Sequence, residues 1–208
     1  MPASSPPVVK LPLGPDQGIR LTDAPGPCKG AAVLIRRELP SDVDAIDEVH
    51  RLAFAGDGPD EPAGRVPVEV GLVRALRADE GWVPALSLVA ENGDGRVTGH
   101  VVATEGRIGD VAVPGLGPIG VLPDHQRAGV GQALMHAVLG AADALGYPAV
   151  VLLGHTDYYP RFGFVAATGL GITPPDPDWG AAFQARPLAS HTPELRGPFR
   201  YAEPFGDL

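Results

Sequence analysis

The stretch Gln126-Arg127-Ala128-Gly129-Val130-Gly131-Gln132 has the residue types of an anion cradle. An apolar run, Ile119-Gly120-Val121-Leu122, ends at Pro123, and after a short turn the two glycines open an amphipathic helix. The first turn of a helix leaves backbone N–H groups without partners, and the macrodipole places partial positive charge there. Glycines at 129 and 131 carry no side chain to hold a ligand away from those donors, and Arg127 offers a charge-assisted contact. Such a segment suits a pyrophosphate. It is not a P-loop, because Gly-Lys-Ser/Thr is missing, nor a dinucleotide fingerprint, because Gly-x-Gly-x-x-Gly is missing. The plainer reading of the same residues is a glycine-containing strand-to-helix turn, which α/β proteins possess anyway. A second segment, Gly154-His155-Thr156-Asp157-Tyr158-Tyr159-Pro160-Arg161-Phe162-Gly163-Phe164, gathers an imidazole, a carboxyl group and two phenols behind a continuous apolar run. His125 and His136 have no partner at ligand spacing, so no metal site is expected.

The elements that must position these groups follow from periodicity. Ile35 to Leu39 opens as a short strand, and Ser41 stands where it can cap a helix carrying Val43, Ile46, Val49 and Ala53 on one apolar face. That helix is expected to stop in Gly56-Asp57-Gly58-Pro59. A second helix carries Val70, Val73, Leu76 and Arg77 and ends near Gly81. Leu86 to Ala90 and Val97 to Ala103 read as a hairpin around Asn92-Gly93-Asp94-Gly95. Two further strands are expected at Ile108 to Val113 and Leu116 to Leu122, broken by Pro114-Gly115. A long helix from about Gly129 to Leu145 buries Leu134, Val138, Ala141 and Leu145, and Gly146 ends it. Val150 to Leu153 reads as a strand buried on both faces. The order strand, helix, helix, several antiparallel strands, strand–helix–strand implies an α/β or α+β sheet with helices on both faces.

Composition narrows the function classes. The 208 residues carry 16 Lys plus Arg against 25 Asp plus Glu, a net charge of −9. An acidic chain has no general attraction to phosphate backbones, so no nucleic-acid partner is expected. With 44% hydrophobic residues there is enough apolar material for a full core. No apolar run approaches the ~20 residues of a membrane-spanning helix, so no membrane partner is expected either. The single Cys28 cannot form an intrachain disulfide, which fits a cytoplasmic setting. Residues 1–30 hold seven prolines and four glycines without apolar periodicity. They read as a disordered leader before one domain spanning 31–208, whose C-terminal strand and tail begin at about 181.

Gln126-x-x-Gly129-x-Gly131 on a strand–helix junction, followed by Tyr159-x-x-x-Gly163-Phe164, resembles the GNAT superfamily of N-acetyltransferases. Tyr-Tyr-x-Arg-Phe-Gly-Phe, with Gly99-His100 upstream and Phe199-x-Tyr201 near the end, is similar to its bacterial YhbS-like subgroup. The resemblance spans about residues 34–205. It implies a GNAT fold: a mixed, mostly antiparallel sheet whose central strands splay into a slot for acetyl-CoA. Pantetheine amides would then pair with backbone at Ile119, Gly120 and Val121. The pyrophosphate would meet the N–H groups of Arg127, Ala128, Gly129, Val130, Gly131 and Gln132, behind Gln126. Tyr159 corresponds to the family's tyrosine beside the thioester sulfur, where a phenol can protonate the leaving thiolate. Many members place a basic carboxylate on the splayed strand, but Leu116-Gly117-Pro118-Ile119-Gly120 offers none. The remaining candidates are His155, Asp157, Glu105, His100 and a bound water, with His155 preferred because it follows the buried strand. The resemblance implies acetyl transfer to a primary amine of a small molecule or a protein. The alternative is a non-catalytic acyl-CoA sensor. Relatives of this kind often form homodimers, but nothing in the sequence fixes oligomeric state.

Overall fold

The computed structural model describes residues 33–55 and 66–207. The leader and the expected helix stop at 56–59 lie outside the described residues. Strand β1 (Leu34–Arg37) leads through a 3-10 turn into helix α1 (Val43–Ala53), and helix α2 (Val68–Ala78) follows. Strands β2 (Ser87–Glu91), β3 (Val97–Ile108) and β4 (Val111–Val121) form an antiparallel meander. Helix α3 (Val130–Ala144) crosses over to β5 (Ala149–Leu153), which runs parallel to β4. Short strands β6 (Val165–Ala166) and β7 (Ile172–Thr173), then β8 (Phe183–Pro187) and β9 (Gly197–Arg200), complete the described elements. The sheet order is β1-β2-β3-β4-β5-β8-β6, with β9 pairing both β3 and β7.

Each helix forms because one face is apolar and is covered by the sheet. Leu134, Met135, Val138, Leu139 and Ala142 of α3 pack on one face against Leu88, Val101, Ile119 and Val121. Ile46 and Val49 of α1, with Leu72, Val73 and Leu76 of α2, cover the other face against Val89, Val102 and Leu122. Full burial of a side chain such as Leu76 or Leu134 stabilises the fold by roughly 1.5–3 kcal/mol. Gly146, at φ +82°, ends α3 in the left-handed conformation that favours glycine.

Three local expectations are corrected. Leu145 is exposed at the C-terminal cap of α3, beyond the last residue that the sheet covers, and is not part of the buried stripe. Ser41 does not cap α1. Instead, Asp42 accepts the Leu39 N–H at 2.7 Å and pairs with Arg36 at 2.6 Å, closing the entry to the helix with a carboxylate. The expected break at Pro114-Gly115 lies inside β4, and the turn falls at Gly109-Asp110. The reason is ladder geometry. The Glu105 N–H donates to Gly81 rather than to β4, so the Glu105–Pro114 pair is a non-hydrogen-bonded one. The missing proline N–H therefore breaks nothing on that edge.

Candidate active site

Strand β4 is paired with β3 along nearly its whole length, but with β5 only at Gly115↔Val151. Beyond that point the two parallel strands diverge, leaving one edge of β4 open. Between Leu116 and Ile119 the register gains one residue over β3, a bulge at Gly117-Pro118 that bends the strand where it leaves β5. The direction of the amides follows from the ladder. Leu122 N–H donates to the Thr98 carbonyl, so Gly120, two residues back, also turns its backbone toward β3. Ile119 and Val121 turn theirs to the open edge. The side-chain amide of Gln126 donates to the Val121 carbonyl at 3.1 Å, tying the following loop to that edge. Of the three residues expected to pair with pantetheine, Ile119 and Val121 therefore present backbone to the slot. Gly120 does not, and is important on its other side, where it faces α1.

The loop from Gln126 to Gln132 turns sharply between β4 and α3. Arg127 is left-handed at φ +59°, uncommon for a residue with a side chain, and Gly129 is left-handed at φ +86°. A local conformation of this kind turns successive N–H groups to one side. The first intrahelical bond of α3 runs from Ala133 to the Gly129 carbonyl, leaving Val130, Gly131 and Gln132 in the first turn, where donors lack helical partners. A side chain at Gly129 would meet nothing within 4 Å, and Arg127 and Ala128 are exposed, so the cradle opens outward. Val130 turns its side chain into the core.

The two tyrosines separate. Tyr159 is fully buried, its ring edge pressed onto Gly154, where any side chain would collide with it. Its ring meets Tyr158 and Phe164 edge-on at 5.1 and 5.8 Å. Among the described residues its hydroxyl has no hydrogen-bond partner, so it is a donor lacking an acceptor there, and burial pushes its pKa far above the ordinary phenol range. Tyr158 is half-buried, carries Arg161 over its ring at 4.5 Å, and brings its hydroxyl to 3.7 Å from the position a side-chain carbon would take on Gly131. It thus stands at the head of α3.

The candidate bases are dispersed. His155, half-buried at the end of β5, uses its carbonyl to accept from the Tyr158 N–H, and its imidazole makes no hydrogen bond among the described residues. Asp157 is exposed. Glu105 is held by the Tyr147 hydroxyl at 2.5 Å. His100 is fully buried and joins a cluster that sequence reasoning missed. Its Nδ1 lies 2.8 Å from His50 Nε2, and its Nε2 lies 2.9 Å from Ser87 Oγ and 3.3 Å from Glu38 Oε2. Arg77 and the Ser87 hydroxyl both donate to Glu38. Burial alone would raise the Glu38 carboxyl, but the bonds from His100, Arg77 and Ser87 overcome it and hold it down at about 2. The signal for His50 was a polar residue four positions after Ile46, inside the apolar stripe of α1. Among the described residues no group of three or more His, Cys, Asp or Glu is placed to hold a metal, and no helix is long and apolar enough to cross a membrane.

Residues 84–166 match the family model described as an acetyltransferase (GNAT) domain. The chain is 32% identical over 172 residues to the uncharacterized N-acetyltransferase YjhQ of Escherichia coli K12, covering 79% of this chain and 89% of that one. It is 34% identical over 161 residues to the uncharacterized N-acetyltransferase YhbS of the same strain, covering 76% and 88%. The crystal structure of Escherichia coli YhbS in complex with CoA superposes with a TM-score of 0.73 at 29% identity, over 90% of this chain and 96% of that one. A GNAT family acetyltransferase from Brucella melitensis in complex with acetyl-CoA gives 0.64 at 34% identity, over 84% and 99%. A strand edge opened beside a helix N-terminus, the paired sequence motifs and this extent of likeness agree: the chain belongs to the GNAT family of N-acetyltransferases.

Proposed function

We propose that the protein transfers an acetyl group from acetyl-CoA to a primary amine, carried by a small molecule or a protein. The observation that carries this reading is the open edge of β4, which aims the Ile119 and Val121 amides at a slot bounded by the first turn of α3. The residues present fit acetyl-CoA. Free edge amides suit the pantetheine arm, and the outward-opening donors from Arg127 to Gln132 suit the diphosphate. The buried Tyr159 hydroxyl lacks an acceptor among the described residues, and a thioester sulfur would supply one. Complexes of YhbS with CoA and of the Brucella protein with acetyl-CoA support the same assignment.

In the reaction the amine nitrogen attacks the thioester carbonyl. The C–N bond forms, the C–S bond breaks, and the sulfur leaves with the electron pair. An N–H on the β4 edge polarises the carbonyl oxygen, and Tyr159 gives its proton to the sulfur. The acetyl-CoA donor and the single cysteine are in keeping with a cytoplasmic setting.

Thermal shift provides the first test, because a ligand bound only by the native state raises Tm. CoA and acetyl-CoA should stabilise the protein where ATP and NAD do not. Release of free CoA thiol is then followed across polyamines, aminoglycosides, amino acids and peptides with free N-termini. Stabilisation by ATP or NAD in preference to CoA would overturn the donor assignment. A non-catalytic acyl-CoA sensor would be stabilised by CoA yet release no thiol with any amine.

A further inference from the structure

We propose that His50 is the general base of acetyl transfer, its Nδ1 receiving the proton of the acceptor amine, with His100 and Glu38 as the positioning residues that hold it in the basic tautomer. This rests on the acetyl-transfer reading above.

The hydrogen-bond chain has one direction. Glu38 is an ionised carboxylate and can only accept, so Arg77 and the Ser87 hydroxyl donate to it. Ser87 Oγ, its proton committed to Glu38, accepts from His100 Nε2–H, which also faces Glu38 Oε2 at 3.3 Å. His100 Nδ1 is then a bare lone pair and accepts from His50 Nε2–H at 2.8 Å. The tautomer of His50 follows: Nε2 holds the proton and Nδ1 holds the lone pair. That Nδ1 is buried and has no partner among the described residues.

Its location matters. His50 Nδ1 lies 3.1 Å from the position a side-chain carbon would occupy on Gly120, between the two residues whose amides face the slot. Only glycine lets the ring approach β4 so closely. The opposite face of this strand is filled by Ile119 and Val121 packed on α3, so His50 supplies β4 with the base that its own residues lack. Burial, then His100 and Arg77, hold His50 well below its ordinary range, so the ring is neutral and its lone pair available at physiological pH. The groups facing the pair are Glu38, Ser87, Arg77 and, more remotely, Asp42.

The proton balance closes. As the C–N bond forms, the nitrogen gives one proton to His50 Nδ1, and the imidazolium charge is shared through His100 toward Glu38. Tyr159 gives one proton to the departing sulfur. His50 then returns a proton to solvent and Tyr159 regains one.

Two measurements test this. The imidazole 1H–15N correlations of the full-length protein should show His50 with its proton on Nε2, and a proton on Nδ1 in the neutral ring would overturn the proposal. Kinetics use acetyl-CoA and the amine giving the fastest wild-type thiol release. His50→Gln keeps a donor to His100 but removes the basic nitrogen. It should lower kcat by about 100-fold or more, with KM for acetyl-CoA little changed. Glu38→Gln should move the acidic limb of the kcat–pH profile to lower pH, because the carboxylate no longer favours the imidazolium. A folded His50→Gln at wild-type rate overturns the base assignment alone, as does loss confined to His155→Gln. No thiol release by the wild type with any amine overturns the acetyl-transfer reading itself.

Discussion

At position 159 the structure separates the chemistry of a hydroxyl from its contribution to stability. A buried hydroxyl without a partner costs about 1–3 kcal/mol of desolvation, so removing it while keeping the ring costs nothing and can stabilise. Tyr159→Phe should therefore melt at or above the wild-type temperature in the absence of ligand, keep CoA binding, and release CoA thiol at least about tenfold more slowly. Calorimetric melting beside a thiol-release assay checks both parts. A lower melting temperature with full turnover would mean that the hydroxyl serves the fold. Tyr159 was singled out in the sequence because Tyr-x-x-x-Gly-Phe aligns on it. The place of Tyr158 was not legible there, since the segment is a 3-10 turn in which neighbours diverge by about 120°, and which neighbour reaches α3 depends on packing. His50 was hidden for a different reason. Val43, Ile46, Val49 and Ala53 already explain the apolar face of α1, and the partners of His50 come from three other elements distant in sequence.

The strand–loop–helix unit from β4 to α3 gives a pair of glycine substitutions with different signatures. Gly129 is left-handed, a conformation that costs a residue with a side chain about 1–2 kcal/mol. Gly129→Val should lose stability as well as CoA affinity. Gly131 is inside α3, and a side-chain carbon there meets only Tyr158 and Val121 at 3.7 Å, ordinary contact. Valine is a better helix former than glycine, so Gly131→Val should not lower Tm, yet its methyl groups enter the cradle. CoA affinity, measured by titration calorimetry, should fall in both variants, and Tm only in the first. Unchanged CoA affinity in a folded Gly131→Val would remove the first turn of α3 from the binding site. The sequence made this unit legible because glycine spacing and apolar periodicity are local signals. It mistook Pro114-Gly115 for a break because which edge of a strand lacks hydrogen bonds is decided by its neighbours.

For the whole molecule, the buried polar cluster sets how stability depends on pH. His50 and His100 are both held below their ordinary value near 6.5 by burial foremost, so in the folded state they stay neutral where the unfolded chain would protonate them. A depressed folded pKa contributes stability that is complete above the unfolded value and lost as pH falls below it. Unfolding should therefore take up protons as pH drops below about 6.5, each histidine costing up to about 1.4 kcal/mol per pH unit. Glu38 acts in the same direction lower down, between its ordinary 4.5 and its folded value of about 2. Tm should be nearly flat above pH 7 and decline below pH 6.5, well before the carboxylates titrate. His50→Gln should flatten the first part of that decline, because one of the two proton sites is gone. A profile flat down to pH 5 would mean that the cluster takes up protons without unfolding, and the one-directional hydrogen-bond chain from Glu38 to His50 would then be untenable. The order of strands and helices that builds this cluster could be read from periodicity alone. The meeting of Glu38, Ser87, His100 and His50 could not, because it depends on α1 crossing β3 and β4 at the one place where Gly120 leaves room for a ring.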